Sequence, residues 1–289
     1  MQRKRGTTIA RRVLVRTAVA GAGGLAASRL FGSAAAVPSD PAAGRVVTPD
    51  PIVPRIAPSG IAVELVEFCA PPPTSGAYPR ALLNFCLHAA DGKNRLFVND
   101  SRGRLWSIDR ATGASSLLLD MAALRGGSFI GTVTRAVGLR SFAFHPNLTR
   151  VGQPGYRRLY TLTTETVASR PAGVRVLAGA YPHYLDNVIA EWRLDARTLS
   201  KVDPASRREV LRIAHPTADH CADQIMFNLA AKPDSAEFGK LYVGVGDGGN
   251  SPNNTDPYNQ AQDPASPLGK ILRIKPVKQG DGSGYRVPT

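Results

Sequence analysis

The chain has 289 residues, with 36 Lys and Arg against 22 Asp and Glu and a formal charge of +14 at neutral pH. Seven of the basic residues and no acidic ones fall within residues 1–36, so removal of that segment would leave +7. The remaining cations form scattered pairs such as Arg157-Arg158 and Arg207-Arg208 instead of a stripe interleaved with aromatics, which argues against a nucleic-acid partner.

Residues 1–36 carry a basic start, paired arginines at Arg11-Arg12, a weakly apolar run and the small-residue exit Ser33-Ala34-Ala35-Ala36. This pattern predicts a secretory signal of twin-arginine type, and hence a periplasmic or secreted protein. Arg16 and Arg29 leave only 12 uncharged residues between them, too few for a span of about 20. No membrane span is therefore expected after cleavage. Residues 37–60 are rich in proline and small residues and read as a linker. The packed domain, residues 61–289, is expected to start at the apolar segment 61–68.

From residue 82 onward one pattern recurs three times: an apolar strand, a turn, a strand with aromatic or branched residues, a loop, and a third strand. The copies run over 82–109, 139–195 and 224–274. No long i, i+3, i+4 stripe appears, and 23 prolines and 28 glycines punctuate the chain. Short strands in repeated units predict an all-β fold of the β-propeller type, in preference to a β-sandwich. Propellers close with about four to eight blades. With three blades present, the chain is expected to be part of a longer protein.

The chemistry concentrates in two loops. Ala218-Asp219-His220-Cys221-Ala222-Asp223 precedes a short strand, and Gly244-Val245-Gly246-Asp247-Gly248-Gly249 follows the next. In an antiparallel pair, the entry loop of one strand lies beside the exit loop of the other, so Asp219, His220 and Asp247 are expected on one rim. A histidine beside a carboxylate is a good proton acceptor near neutral pH, because the carboxylate fixes its tautomer. The alternative is a hydrogen-bonded surface turn.

Cys69, Cys86 and Cys221 are odd in number. Cys69 and Cys86 could pair in an exported protein, and Cys221 is expected to be a buried structural thiol. Asp247, Asn250, Asn253, Asn254, Asp256 and Asp263 offer oxygen ligands but match no EF-hand spacing, and a solvated loop is the better reading. His145-Pro146 reads as a strand terminator, and His215 shows no partner pattern. Asn147-Leu148-Thr149 and Asn253-Asn254-Thr255 match glycosylation acceptors.

Four motifs occur in order: Gly138-Leu139-Arg140-Ser141-Phe142-Ala143-Phe144-His145-Pro146, Asp219-His220, Gly239-Lys240-Leu241-Tyr242-Val243-Gly244-Val245-Gly246-Asp247-Gly248-Gly249, and Gln262-Asp263-Pro264 through Leu272-Arg273-Ile274. Together they resemble the soluble pyrroloquinoline-quinone-dependent glucose/sorbosone dehydrogenase family over about residues 80–287. The resemblance implies a six-bladed propeller with PQQ and calcium over its channel, a sugar or alcohol substrate and an external electron acceptor. It implies His220 as general base, Asp219 lining the sugar pocket, and Asp247 orienting the histidine, with His220 and Asp247 facing the cofactor. It also implies that the main calcium and cofactor ligands lie beyond residue 289. Arg140 and Ser141 stand where the family has leucine and glycine. Two alternatives stay open: a non-catalytic propeller binding carbohydrate or protein, and a calcium-dependent lactonase on a similar fold.

Overall fold

The structure, a computed structural model, describes Val13–Ala18 and residues 62–131, 136–249, 256–277 and 284–288. The expected targeting segment and linker lie outside the described residues apart from Val13–Ala18. The described residues fall into two units, divided between Ala70 and Pro71. In the first unit β1 (Val13–Ala18) pairs antiparallel with β2 (Ala62–Glu67).

The second unit is built from three antiparallel four-strand meanders in chain order. The first contains β3 (Leu83–Leu87), β4 (Arg95–Asp100), β5 (Arg104–Asp109) and β6 (Ser115–Asp120). It is followed by a short helix, α1 (Met121–Arg125), capped by the Asp120 carboxylate, which accepts the Ala123 N–H. The second contains β7 (Leu139–Phe144), β8 (Arg158–Thr166), β10 (Leu185–Leu194) and β11 (Val202–His215); the two-residue β9 (Val176–Leu177) runs parallel on its outer edge. The third contains β12 (Gln224–Phe227), β13 (Leu241–Val245), β14 (Lys270–Pro276) and β15 (Tyr285–Arg286). The described residues are thus nearly all β, in blade-like sheets, and they form no closed ring. Each sheet has the three strands expected from the sequence plus an outer fourth strand that the sequence reading did not identify.

Burial shows how the sheets stack. Every residue of β7 is buried, as are the interior of β8 and nearly all of β10, because the second sheet is covered on both faces. On one side Phe97, Leu105, Phe142, Phe144 and Trp192 form a core with the first sheet. On the other, Tyr160, Leu162, Ile189, Ile225, Phe227 and Val243 form a core with the third. In β14, by contrast, Ile271 and Arg273 are exposed on the uncovered face of the third sheet.

Polar side chains tie the inner strands together. Asn84 and Asn99 donate their amides to the Arg140 and Leu139 carbonyls, linking the first sheet to the second. Ser141 Oγ accepts the Ile225 N–H at 3.2 Å, and Asn187 Oδ1 accepts the Ala222 N–H at 3.1 Å, linking the second to the third. Arg140 is buried and pairs with Asp223 and Ser101, which gives its unexpected charge a structural role.

The second sheet also buries an ion network. Arg212 has no exposed surface, and it reaches Asp186 at 2.8 Å, Glu209 at 2.6 Å and Glu165 at 3.3 Å. Burial pushes the Glu165 carboxyl up, but Arg125, Arg207 and Arg212 together hold it below the usual glutamate range. Because its folded pKa is depressed, its contribution is present at neutral pH and fades as pH falls through that depressed value. Replacing Arg212 with alanine removes the one fully buried cation shared by Glu165 and Asp186, leaving Glu165 to the more exposed Arg125 and Arg207 and Asp186 to Arg170. We expect a loss of about 3–5 kcal/mol in urea unfolding at pH 7 and a shallower loss of stability toward acid. A loss within about 0.5 kcal/mol, as for a surface change, would contradict this reading of the network.

Candidate functional site

The site lies where β11 hands the chain to β12 and where β13 ends. The first contributor is a pinned loop. Thr217 Oγ1 donates to the Gly249 carbonyl at 2.9 Å and accepts the Asp219 N–H at 3.1 Å, stitching residues 217–219 to the loop after β13. His220 has φ +47°, in the left-handed region, and its N–H donates to Asp219 Oδ1 at 3.0 Å. Its carbonyl faces the ring of His215 at 3.1 Å from Nε2.

His215, which showed no partner pattern in the sequence, is fully buried, and its Nδ1 lies 2.8 Å from the Thr217 carbonyl. Burial pushes its pKa below the ordinary histidine range, outweighing the two carbonyls that favour the charged form. It is therefore a structural clamp on the loop carrying His220.

The second contributor is glycine. β12 and β13 pair antiparallel, with Gln224 opposite Gly244, which brings the loop before β12 against the residues after β13. At Gly246 a Cβ would lie 1.9 Å from the His220 carbonyl oxygen. Only a residue without a side chain allows the two backbones this close. Gly246 also accepts the Gly269 N–H at 2.8 Å, which anchors the approach to the start of β14.

The consequence is a histidine–carboxylate pair. His220 Nδ1 is 2.7 Å from Asp247 Oδ1, and both side chains are about one-third exposed, 31% and 32%. Asp247 Oδ1 also accepts the Gly249 N–H at 2.9 Å. Burial pushes the Asp247 carboxyl up, but the bonds from His220 and Gly249 outweigh it and hold the group below the usual aspartate range. An ionised Asp247 can only accept, so Nδ1 carries a proton, and in the neutral ring the free lone pair is then on Nε2. The structure thus brings His220 and Asp247 into contact and places Asp219 at the His220 backbone.

The neighbouring residues fill other roles. Cys221 is buried and its thiol is pushed up to about 12 by burial, so it stays protonated and is a structural residue. Cys86 is an exposed free thiol and so is not in a disulfide. Of the oxygen-rich loop, residues 250–255 lie outside the described residues, and so does the acceptor sequence at 253–255. Asn147, the other acceptor, is buried and donates its amide to the Pro154 carbonyl at 2.9 Å, which leaves no room for a glycan. His145 follows the last residue of β7, as a strand terminator should. Among the described residues, no three of His, Cys, Asp and Glu gather to hold a metal ion.

No family model matches the chain. It is similar to two curated proteins of Arabidopsis thaliana: the HIPL1 protein, 28% identical over 239 residues, and the HIPL2 protein, 26% identical over 241. Each alignment covers 75% of this chain, and the chain spans 31% of the length of each relative. Among solved structures, a glucose dehydrogenase is 14% identical with a TM-score of 0.43, covering 72% of this chain and 51% of that one. A second glucose dehydrogenase is 15% identical with a TM-score of 0.42, covering 71% and 53%.

The close packing at Gly246 is open to a direct test. Gly246→Ala puts a methyl group against the His220 carbonyl and should cost about 1–3 kcal/mol, as overpacking does. Thermal unfolding followed by circular dichroism should show the drop, and an unchanged midpoint would contradict the observed approach.

Proposed function

We propose that the chain carries the proton-accepting half of an exported sugar or alcohol dehydrogenase, with His220 as the general base. The observation that carries this reading is the 2.7 Å bond between His220 Nδ1 and Asp247 at a partly open surface, which makes Nε2 the proton-accepting nitrogen of the neutral ring. The four motifs that resemble the glucose/sorbosone dehydrogenase family, occurring in order, support the choice of reaction.

His220 Nε2 accepts the hydroxyl proton of the substrate, which raises the hydride-donating power of the carbon that bears it. Asp247 holds the ring in the required tautomer and stabilises the imidazolium as it forms, without itself taking up a proton. Asp219, bonded to the His220 backbone, stands at the same rim and lines the approach of the sugar. Thr217 and His215 keep the loop from relaxing as charge develops. In this reading PQQ supplies the hydride acceptor when bound, with His220 and Asp247 beside it, and an external acceptor then takes up the electrons. The rim pair fits that placement, whereas the donors for calcium would lie outside the described residues.

In a chain that includes the whole catalytic domain, His220→Ala should abolish PQQ-dependent dye reduction with an aldose while circular dichroism stays unchanged. Asp247→Asn, which removes the orienting charge and keeps the shape, should lower kcat by about 10²–10⁴ with little change in KM. Retained turnover in His220→Ala would overturn the assignment of the base. Lactone hydrolysis without quinone would favour the lactonase, and silence toward every aldose would favour a binding propeller.

A further inference from the structure

At the opposite end of the β12–β13 hairpin from His220 lies a second cavity, of about 620 Å³, which the proposed reaction does not use. It opens between the second and third sheets, below the end of β7, and the loop before β13 closes one side. Its size is within the range of about 300–1,000 Å³ typical of small-molecule sites.

The wall is strongly cationic. Arg150, Arg157, Arg158, Arg193, Arg208 and Lys275 line it, against the single carboxylate of Glu191. That carboxylate is already saturated: Arg208 donates to it at 3.0 Å and the Tyr160 hydroxyl at 2.5 Å, with Arg158 at 3.6 Å. Arg193 is paired with Asp203 at 2.8 Å. Arg150, Arg157 and Lys275 have no carboxylate partner among the described residues. Charge on this wall is therefore compensated only in part from within the protein.

The floor is built rather than incidental. His145 is buried, and a Cβ at Gly155 would lie 1.9 Å from its Nδ1, so the imidazole rests directly on that glycine. Nδ1 accepts the Asn147 N–H at 3.0 Å, and burial pushes the ring down to about 4, so it adds no charge at neutral pH. Two polar atoms buried in the wall, Asn147 Oδ1 and Arg157 Nε, meet no partner among the described residues. One is an acceptor and one a donor. Both lie behind the cavity surface, so the groups that face an occupant are the guanidinium and ammonium ends of the wall.

We infer that this cavity binds a small organic anion: a sugar-sized molecule carrying a phosphate or carboxylate group on a hydroxylated frame. Guanidinium forks match the planar or tetrahedral oxyanion. The site is independent of the chemistry proposed at His220.

Isothermal titration of the full chain with glucose 6-phosphate, glucuronate and glucose tests the inference. At least one of the two anions should bind, with affinity that falls as salt is raised, and glucose should not. Binding of the phosphate ester alone identifies a phosphorylated ligand; binding of glucuronate alone identifies an acidic sugar. The double variant Arg150→Ala, Lys275→Ala removes two surface cations that hold no ion pair, so it should keep its unfolding midpoint and weaken binding at least tenfold. His220→Ala should bind as the parent chain does. Failure of both anions to bind, equal binding of glucose, or full affinity in the double variant would overturn the proposal.

Discussion

The site depends on one close approach: the His220 carbonyl lies over Gly246, where a single methyl group would collide at 1.9 Å. That contact fixes the distance between the loop before β12 and the loop after β13. It brings His220 and Asp247 within reach of each other, Nδ1 to Oδ1 at 2.7 Å. The buried ring of His215 holds the same carbonyl from the other side. A left-handed φ at His220 costs free energy, and these contacts overdetermine it.

The scaffold explains why the approach is rigid. The second sheet is covered on both faces, so its strands are buried almost throughout and cannot shift without opening a core. The Arg212 network lies in the same sheet, three residues before His215 at the end of β11. That network touches neither His220 nor Asp247 directly. Breaking it loosens the strand that delivers His215, and through His215 the loop that delivers His220. Fold and candidate chemistry are coupled along this one strand.

Much of this was legible in the sequence, and the gaps have physical causes. The inner three strands of each sheet stood out because their branched and aromatic residues pack against neighbouring sheets. The outer strands did not. β6 reads Ser115-Ser116-Leu117-Leu118-Leu119-Asp120, β15 has only two residues, and the first half of β11 has Pro204 and Ala205 exposed and then the charged run Arg207-Arg208-Glu209, which shows no strand pattern in the sequence. Missing β11 also hid His215, since a histidine outside a recognised strand has no face or register. Asp219, His220 and Asp247 could be named because each lies next to a strand end, where antiparallel pairing sets its neighbours. The cationic cavity was beyond reach: its arginines come from β8, β10, β11 and the turn before β8, all in the second sheet, and only the pairing of those strands, with Lys275 of β14 opposite, gathers them.

The central claim is that Asp247 sets the tautomer of His220. Nitrogen-15 NMR of the histidine rings near pH 7 measures this directly. The account predicts an Nδ1–H tautomer at His220, with an unprotonated Nε2, and a shift of that population on Asp247→Asn. A dominant Nε2–H tautomer in the parent chain, or a signal indifferent to Asp247, would contradict it.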